Sequence, residues 1–255
     1  MLLVIDVGNT NTVMGVYKED TLLHDWRIRT IRDSTADEFN VLASALFFDK
    51  GISCDDIGKI VISSVVPSSV PILNAFCEKY LKLSPIWVDS NSVKKLMPIL
   101  YHNPNEVGAD RIVNAVAGYE KYKTALIIID FGTATTFDAI SEKGEYIGGA
   151  IVPGLMISAE ALFQRASRLP RVEIFKAPKN IIGMDTINSI KSGIIYGSAA
   201  MVDGMVERMS KEMNTGPKIL ATGGLASLIS ELSNTIEIVD TNLTLEGLKI
   251  ISHYF

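Results

Sequence analysis

Two short runs, DVGNTNT at residues 6–12 and DFGTATT at residues 130–136, stand 124 residues apart in a chain of 255. Each follows an apolar run, LLVI in the first case and LIII in the second, and each leads into a further run of apolar and β-branched residues. An aspartate inside a strand that is otherwise built for burial is costly unless something uses it. Finding the same exception twice, with glycine two residues on and threonine six residues on, makes the chain read as two copies of one plan.

The surroundings repeat as well. LLVIDVGNTNTVMGVYKEDTLLHDWRIRT predicts three strands with turns near Gly8–Asn11 and Lys18–Asp20. ALIIIDFGTATTFDAISEKGEYIGGAIVPG predicts three more, with turns at matching places. Further on, GKIVISSVVPSSVPIL (58–73) matches PKILATGGLASLISEL (217–232) as strand, small-residue turn and helix. Counting from Asp6 to Ser64 gives 58 residues and from Asp130 to Thr222 gives 92, so 34 extra residues fall around MISAEALFQRASRLPRVEIFKAPKNIIGMDT. In the first half STADEFNVLASALFFDKG predicts a helix capped by Ser34 or Thr35, with Phe39, Leu42 and Leu46 on one face and Gly51 as its stop. The division is expected just after YHNPNEVGADRIVNAVAGYEKYK, giving halves at 1–120 and 121–255, both of mixed α/β type.

Composition excludes several classes of function. Hydrophobic residues make up 47% of the chain and charged ones 21%, enough for large cores and too little polarity for long disorder. A net charge of −5 argues against a nucleic-acid-binding surface. Cys54 and Cys77 form no metal-ligand spacing, and the scattered His24, His102 and His253 support neither a zinc site nor a hydrolase triad. The first apolar run lacks a preceding basic region and stops at Asp6, so neither a leader nor a membrane span is expected, and the expected compartment is the cytoplasm.

Glycine at each turn lets backbone N–H groups approach a ligand closely. Asn9 and the hydroxyls of Thr10, Thr12, Thr133, Thr135 and Thr136 add donors suited to phosphate oxygens, and the aspartates suit an accompanying cation. One such turn alone is as often a polar hairpin end; the repetition favours the ligand. ATGGLA (221–226) has two glycines between strand and helix, room for a flat ring against the backbone, though by itself it reads as an ordinary strand-to-helix turn. No P-loop and no dinucleotide fingerprint occurs. In NEVGADRIVNAVAG, Asp110 in a helix's first turn is by itself an ordinary dipole partner. Arg111 beside it is unfavourable there, and the pair reads as a base next to a carboxylate anchor. Gly193, Gly197, Ala200 and Gly204 along one helix permit close packing within the fold or across a dimer axis. The basic run Arg165 to Lys179 reads as a solvated face.

Taken together, DVGNTNT, GADRIVNAVAG, DFGTATT, GGAIVPG and ATGGLA resemble the type III pantothenate kinase family, within the actin-like ATPase superfamily, over essentially the whole chain. The resemblance implies two duplicated ribonuclease-H-like halves with a central cleft for ATP, a homodimer, Mg²⁺, and a monovalent cation, K⁺ or NH₄⁺. It implies that Asp6, Val7, Gly8, Asn9, Thr10, Asn11, Thr12, Val13 and Thr133 bind ATP, with Asp6 also aimed at Mg²⁺. Asp130 matches the monovalent-cation ligand and Asp110 the general base. Tyr101, Gly108, Ala109, Asp110 and Arg111 match contacts to pantothenate, and Thr186 matches a contact supplied by the other subunit. The competing readings are a phosphohydrolase of the same superfamily and a non-catalytic accessory factor for transcription.

Overall fold

β1 (Leu2–Val7), β2 (Asn11–Lys18) and β3 (Thr21–Arg29) form an antiparallel meander, because the tight turns at Gly8–Thr10 and Glu19–Asp20 leave no room for another connection. The computed structural model describes all of residues 1–255. β4 (Lys59–Ser64) and β5 (Ile86–Trp87) then add in parallel on the other side of β1, giving the order β3-β2-β1-β4-β5. The crossover to β4 carries α1 (Ala36–Asp49), with Thr35 as its cap and Glu38 completing a capping box. α2 (Ser69–Phe76) runs on as a π turn, Cys77–Leu81. α3 (Ala109–Tyr122) leads towards the second half.

That half repeats the plan. β6 (Leu126–Phe131), β7 (Ala134–Ile140) and β8 (Tyr146–Pro153) form the meander, and β9 (Lys218–Thr222) and β10 (Ile238–Val239) add in parallel, in the order β10-β9-β6-β7-β8. α4 (Leu155–Arg165), α5 (Thr186–Met213) and α6 (Ala226–Ser230) complete it. The insertion expected from the spacing is thus α4, the segment 166–185 and the start of α5. The register moves one equivalence. Asp130 lies opposite Thr222, but Asp6 lies opposite Ser63, so Ser63 and not Ser64 is the counterpart of Thr222.

The chain divides into two compact units, Met1–Glu120 with Leu243–Phe255, and Lys121–Asn242. The halves expected from the sequence ran to the C-terminus; the last segment corrects them. α7 (Leu243–Ser252) packs on the first unit, where Leu245 reaches Gly15 of β2 and Gly247 abuts the backbone of Val113. Thr244 donates to Asn114 at 2.8 Å, and Lys59 donates to the carbonyl of Ser252 at 2.7 Å. In the first unit Leu3, Ile5, Met14 and Ile62 face Phe47 and Phe76 of α1 and α2. In the second, Ile127, Ile129 and Phe137 face Leu155, Ile195 and Val202 of α4 and α5. Strand side chains alternate between faces, so Asp6 and Asp130 point to the opposite face of each sheet, one residue before the end of its central strand. No helix is long and apolar enough to cross a membrane.

Candidate active site

In the first unit the turn after β1 closes with the Gly8 N–H donating to the carbonyl of Asn11 at 3.0 Å. Thr30 buttresses it from beneath. Its backbone N–H donates to the Thr10 carbonyl at 3.0 Å and its hydroxyl to the Gly8 carbonyl at 2.7 Å. Thr12, expected among the ligand donors, is buried on the helix-covered face, and its hydroxyl is 3.0 Å from that of Thr30. Its side chain therefore serves the underside of the turn. Asn9 and Thr10 stay at the surface, with Arg32 donating to Asn9 Oδ1 at 2.9 Å. Val7 is buried on the helix-covered face and can offer only backbone to a ligand in the turn, whereas Val13 is half-buried.

Asp6 stands beside this turn and accepts a 2.6 Å hydrogen bond from the Ser63 hydroxyl. Burial pushes its carboxyl up to about 7, and Asp110 adds to the rise, while Ser63 and Arg27 oppose it. Asp110 reaches this place from the first turn of α3. The helix start is fixed by Gly108, whose carbonyl accepts from the Ile112 N–H at 3.1 Å. A side chain at Gly108 would lie 2.6 Å from Asp110 Oδ1 and 3.5 Å from Val65, so glycine is what lets the carboxylate fold back there. Asp110 accepts from the Arg111 N–H at 2.7 Å, and burial raises its pKa against the opposing pull of Arg111. Ala109 and Arg111 are buried at the same helix start, and half-buried Tyr101 lies in the irregular segment before it. The first unit therefore brings two aspartates together beside a glycine turn, at the carboxyl ends of two parallel strands. Open α/β sheets bind ligands at such places.

In the second unit the matching turn is one residue shorter. Gly132 N–H donates to the Ala134 carbonyl at 3.1 Å, and Phe131 faces Thr135, as Val7 faces Thr12. Thr12 thus corresponds to Thr135 and not to Thr136. Thr135 is fully buried and its hydroxyl has no partner, whereas Thr133 is exposed at the turn. Gly154, the cap of α4, donates to the Thr133 carbonyl at 3.2 Å, and any side chain there would collide with it. Asp130 lies between Thr136 and Thr222, closed in by Gly223. Gly223 has φ of +92°, and a Cβ on it would collide with the Asp130 carboxylate and stand 2.7 Å from the Phe131 nitrogen. The ATGGLA turn is therefore shaped around Asp130. Thr186 is exposed as the first residue of α5, behind its cap Asp185.

No three His, Cys, Asp or Glu side chains converge as a ready metal cage. Mg²⁺ bound with a triphosphate needs only one or two protein carboxylates, the phosphates and water supplying the rest, and Asp6 with Asp110 nearby fits that demand. Sequence reasoning missed Ser63 and Arg27. The signal for Ser63 was its place at the end of an apolar strand; Arg27 became visible only through strand register.

The type III pantothenate kinase family model matches residues 2–208. A type III pantothenate kinase from Desulforapulum autotrophicum is 71% identical over 252 residues, covering 99% of this chain and 96% of that protein. Among solved structures, a Campylobacter jejuni protein assigned to the Baf family of transcriptional activators superposes with a TM-score of 0.62 at 17% identity, covering 99% of this chain and 98% of the other. A ROK family glucokinase from Streptomyces griseus, in complex with glucose and AMPPNP, gives 0.54 at 12% identity, covering 100% and 99%. At such identities these two likenesses concern the fold alone, which is that of the sugar kinases.

Proposed function

This chain belongs to the type III pantothenate kinase family, and from that premise we propose that Asp110 is the general base that readies the primary hydroxyl of pantothenate for attack on ATP. The family's reaction, phosphorylation of pantothenate for coenzyme A synthesis, defines the bonds. The hydroxyl oxygen bonds to the γ-phosphorus, the bond from that phosphorus to the β,γ-bridging oxygen breaks, and 4′-phosphopantothenate and ADP leave. Asp110 takes the hydroxyl proton. The carrying observation is its position: a half-buried carboxylate at the start of α3, beside Asp6 and the Gly8 turn. Its raised pKa makes the ionised form a stronger base than an ordinary aspartate.

The backbone of Asn9, Thr10 and Asn11 donates to the phosphates in this reading; Gly8, whose N–H is taken by Asn11, lets the chain come close to them, and Thr133 is a second contact. Asp6 would hold a divalent cation, Mg²⁺, which would supply charge neutralisation to the triphosphate. Asp130, enclosed by Gly223, would hold K⁺ or NH₄⁺. Tyr101, Gly108, Ala109 and Arg111 orient pantothenate, Arg111 as the partner of its carboxylate. The active unit is a homodimer in which Thr186 completes the partner's site. Supporting this, Thr186 borders an open pocket of about 640 Å³ with Leu169, Met184 and Ser189, and apolar side chains stand bare around it. Met184 is 90% exposed and Ile182 76%, surface that a soluble chain normally covers.

The test is ADP release with ATP, Mg²⁺ and K⁺, with and without pantothenate. Release that depends on pantothenate supports the kinase; equal release without it means a phosphohydrolase. Asp110→Asn keeps the shape but cannot take the proton, so kcat should fall roughly 10²–10⁴-fold with nucleotide affinity unchanged. A variant that keeps most of its turnover would show Asp110 to be only a helix-start residue.

A further inference from the structure

We propose that Arg27 is a further catalytic residue, a cation that contacts the γ-phosphoryl group during transfer; this rests on the kinase reading above. The meander places it there. Asp6 lies directly opposite Val13, and Val13 directly opposite Arg27, so all three side chains leave the same face of the sheet. Adjacent strands are about 4.8 Å apart, so Arg27 starts about 10 Å from Asp6, a gap that an extended arginine crosses in large part, leaving room for a phosphoryl group beside the carboxylate. Its neighbours in sequence, Trp26 and Ile28, face the core of α1 and α2. That alternation is what turns Arg27 towards the Asp6 side.

Charge supplies the reason. Asp6 and Asp110 already repel each other, and a triphosphate brings several more negative charges to the same place. The turn Gly8–Thr10 contains no cation of its own. Arg32 is held by Asn9, and Arg111 is buried at the start of α3. Arg27 is exposed, no hydrogen bond or salt bridge holds it, and its field reaches Asp6. A planar guanidinium in that position matches the equatorial oxygens on which charge gathers as the phosphoryl group moves.

The experiment compares Arg27→Ala, Arg27→Lys and the unaltered enzyme in the ADP-release assay, with ADP affinity measured separately. Arg27→Ala should lose about 10²–10³-fold in kcat, the range for removing one donor to transition-state charge. ADP affinity and the KM for pantothenate should stay within about twofold. Added guanidinium ions should restore turnover to Arg27→Ala and not to Asp110→Asn, and Arg27→Lys, keeping charge without the fork, should fall between. A merely structural arginine would change ADP affinity or the thermal midpoint and would not respond to guanidinium. Turnover within about threefold of the unaltered enzyme, or loss of turnover together with ADP affinity and without rescue, overturns the proposal. If the unaltered enzyme itself shows no pantothenate-dependent release, the kinase reading is what fails.

Discussion

Asp6 is where the demands of folding and of chemistry meet in one side chain. Its folded pKa of about 7 lies above the 3.8 of an ordinary aspartate, so the folded state holds the proton more tightly than the unfolded one. Stability is therefore expected to fall as pH rises from about 4 to about 7 and then level off. Asp6→Asn removes this loss. In EDTA the variant should have the higher urea midpoint at pH 8, with the difference closing towards pH 4. Adding Mg²⁺ at pH 8 should stabilise the original protein and leave the variant unmoved. Equal pH dependence of the two proteins would show that the carboxylate is not held under this strain. Activity moves the other way, since the asparagine loses the charge that a cation needs.

Among the elements, the two strand-turn-strand units share a design and differ by a single residue in the turn. The longer turn in the first half is supported by a side chain, Thr30; the shorter one in the second half is met directly by the backbone of Gly154. The strand-helix turn at Gly223 is a tight point of the second unit, because it joins a left-handed backbone to contact with Asp130. Gly223→Ala should cost about 1–3 kcal/mol of stability by urea titration, as expected for a residue forced into that conformation. The same variant should weaken activation by K⁺, because the added methyl displaces the Asp130 carboxylate. Gly224, where an added Cβ would meet nothing within 4 Å, is the matched control. If both alanine variants behave alike, the fit around Asp130 is not what Gly223 provides.

For the whole molecule the decisive question is whether one chain holds a complete site. If Thr186 serves the partner, Thr186→Arg blocks the neighbour's pocket while Asp110→Asn disables its own. Mixing the two inactive proteins after reversible dissociation gives mixed dimers with one doubly damaged site and one intact site. Random pairing makes half the dimers mixed, so about a quarter of the original activity should return under two-fold symmetry. Mixed dimers confirmed by mass but without activity would show that Thr186 does not act across the interface.

The duplication, the strand order within each meander, a cap at Ser34 or Thr35 and the exceptional aspartates were all legible in the residues. Each depends on neighbours in sequence: alternation, turn chemistry and capping act over a few positions. The assembly of the site does not. Asp110 meets Asp6 only because α3 starts at the end of β4, and Arg27 shares their face only through the pairing of three strands. Motif spacing set Thr12 against Thr136, but strand register, which follows burial of one whole face, makes Thr135 the true counterpart. The C-terminal helix looked like the end of the second half. It joins the first because Gly247 lets it lie against α3 and Leu245 against the sheet, contacts between residues far apart in the chain. Local preferences are written in order along a sequence; which distant surfaces close on one another is decided by packing.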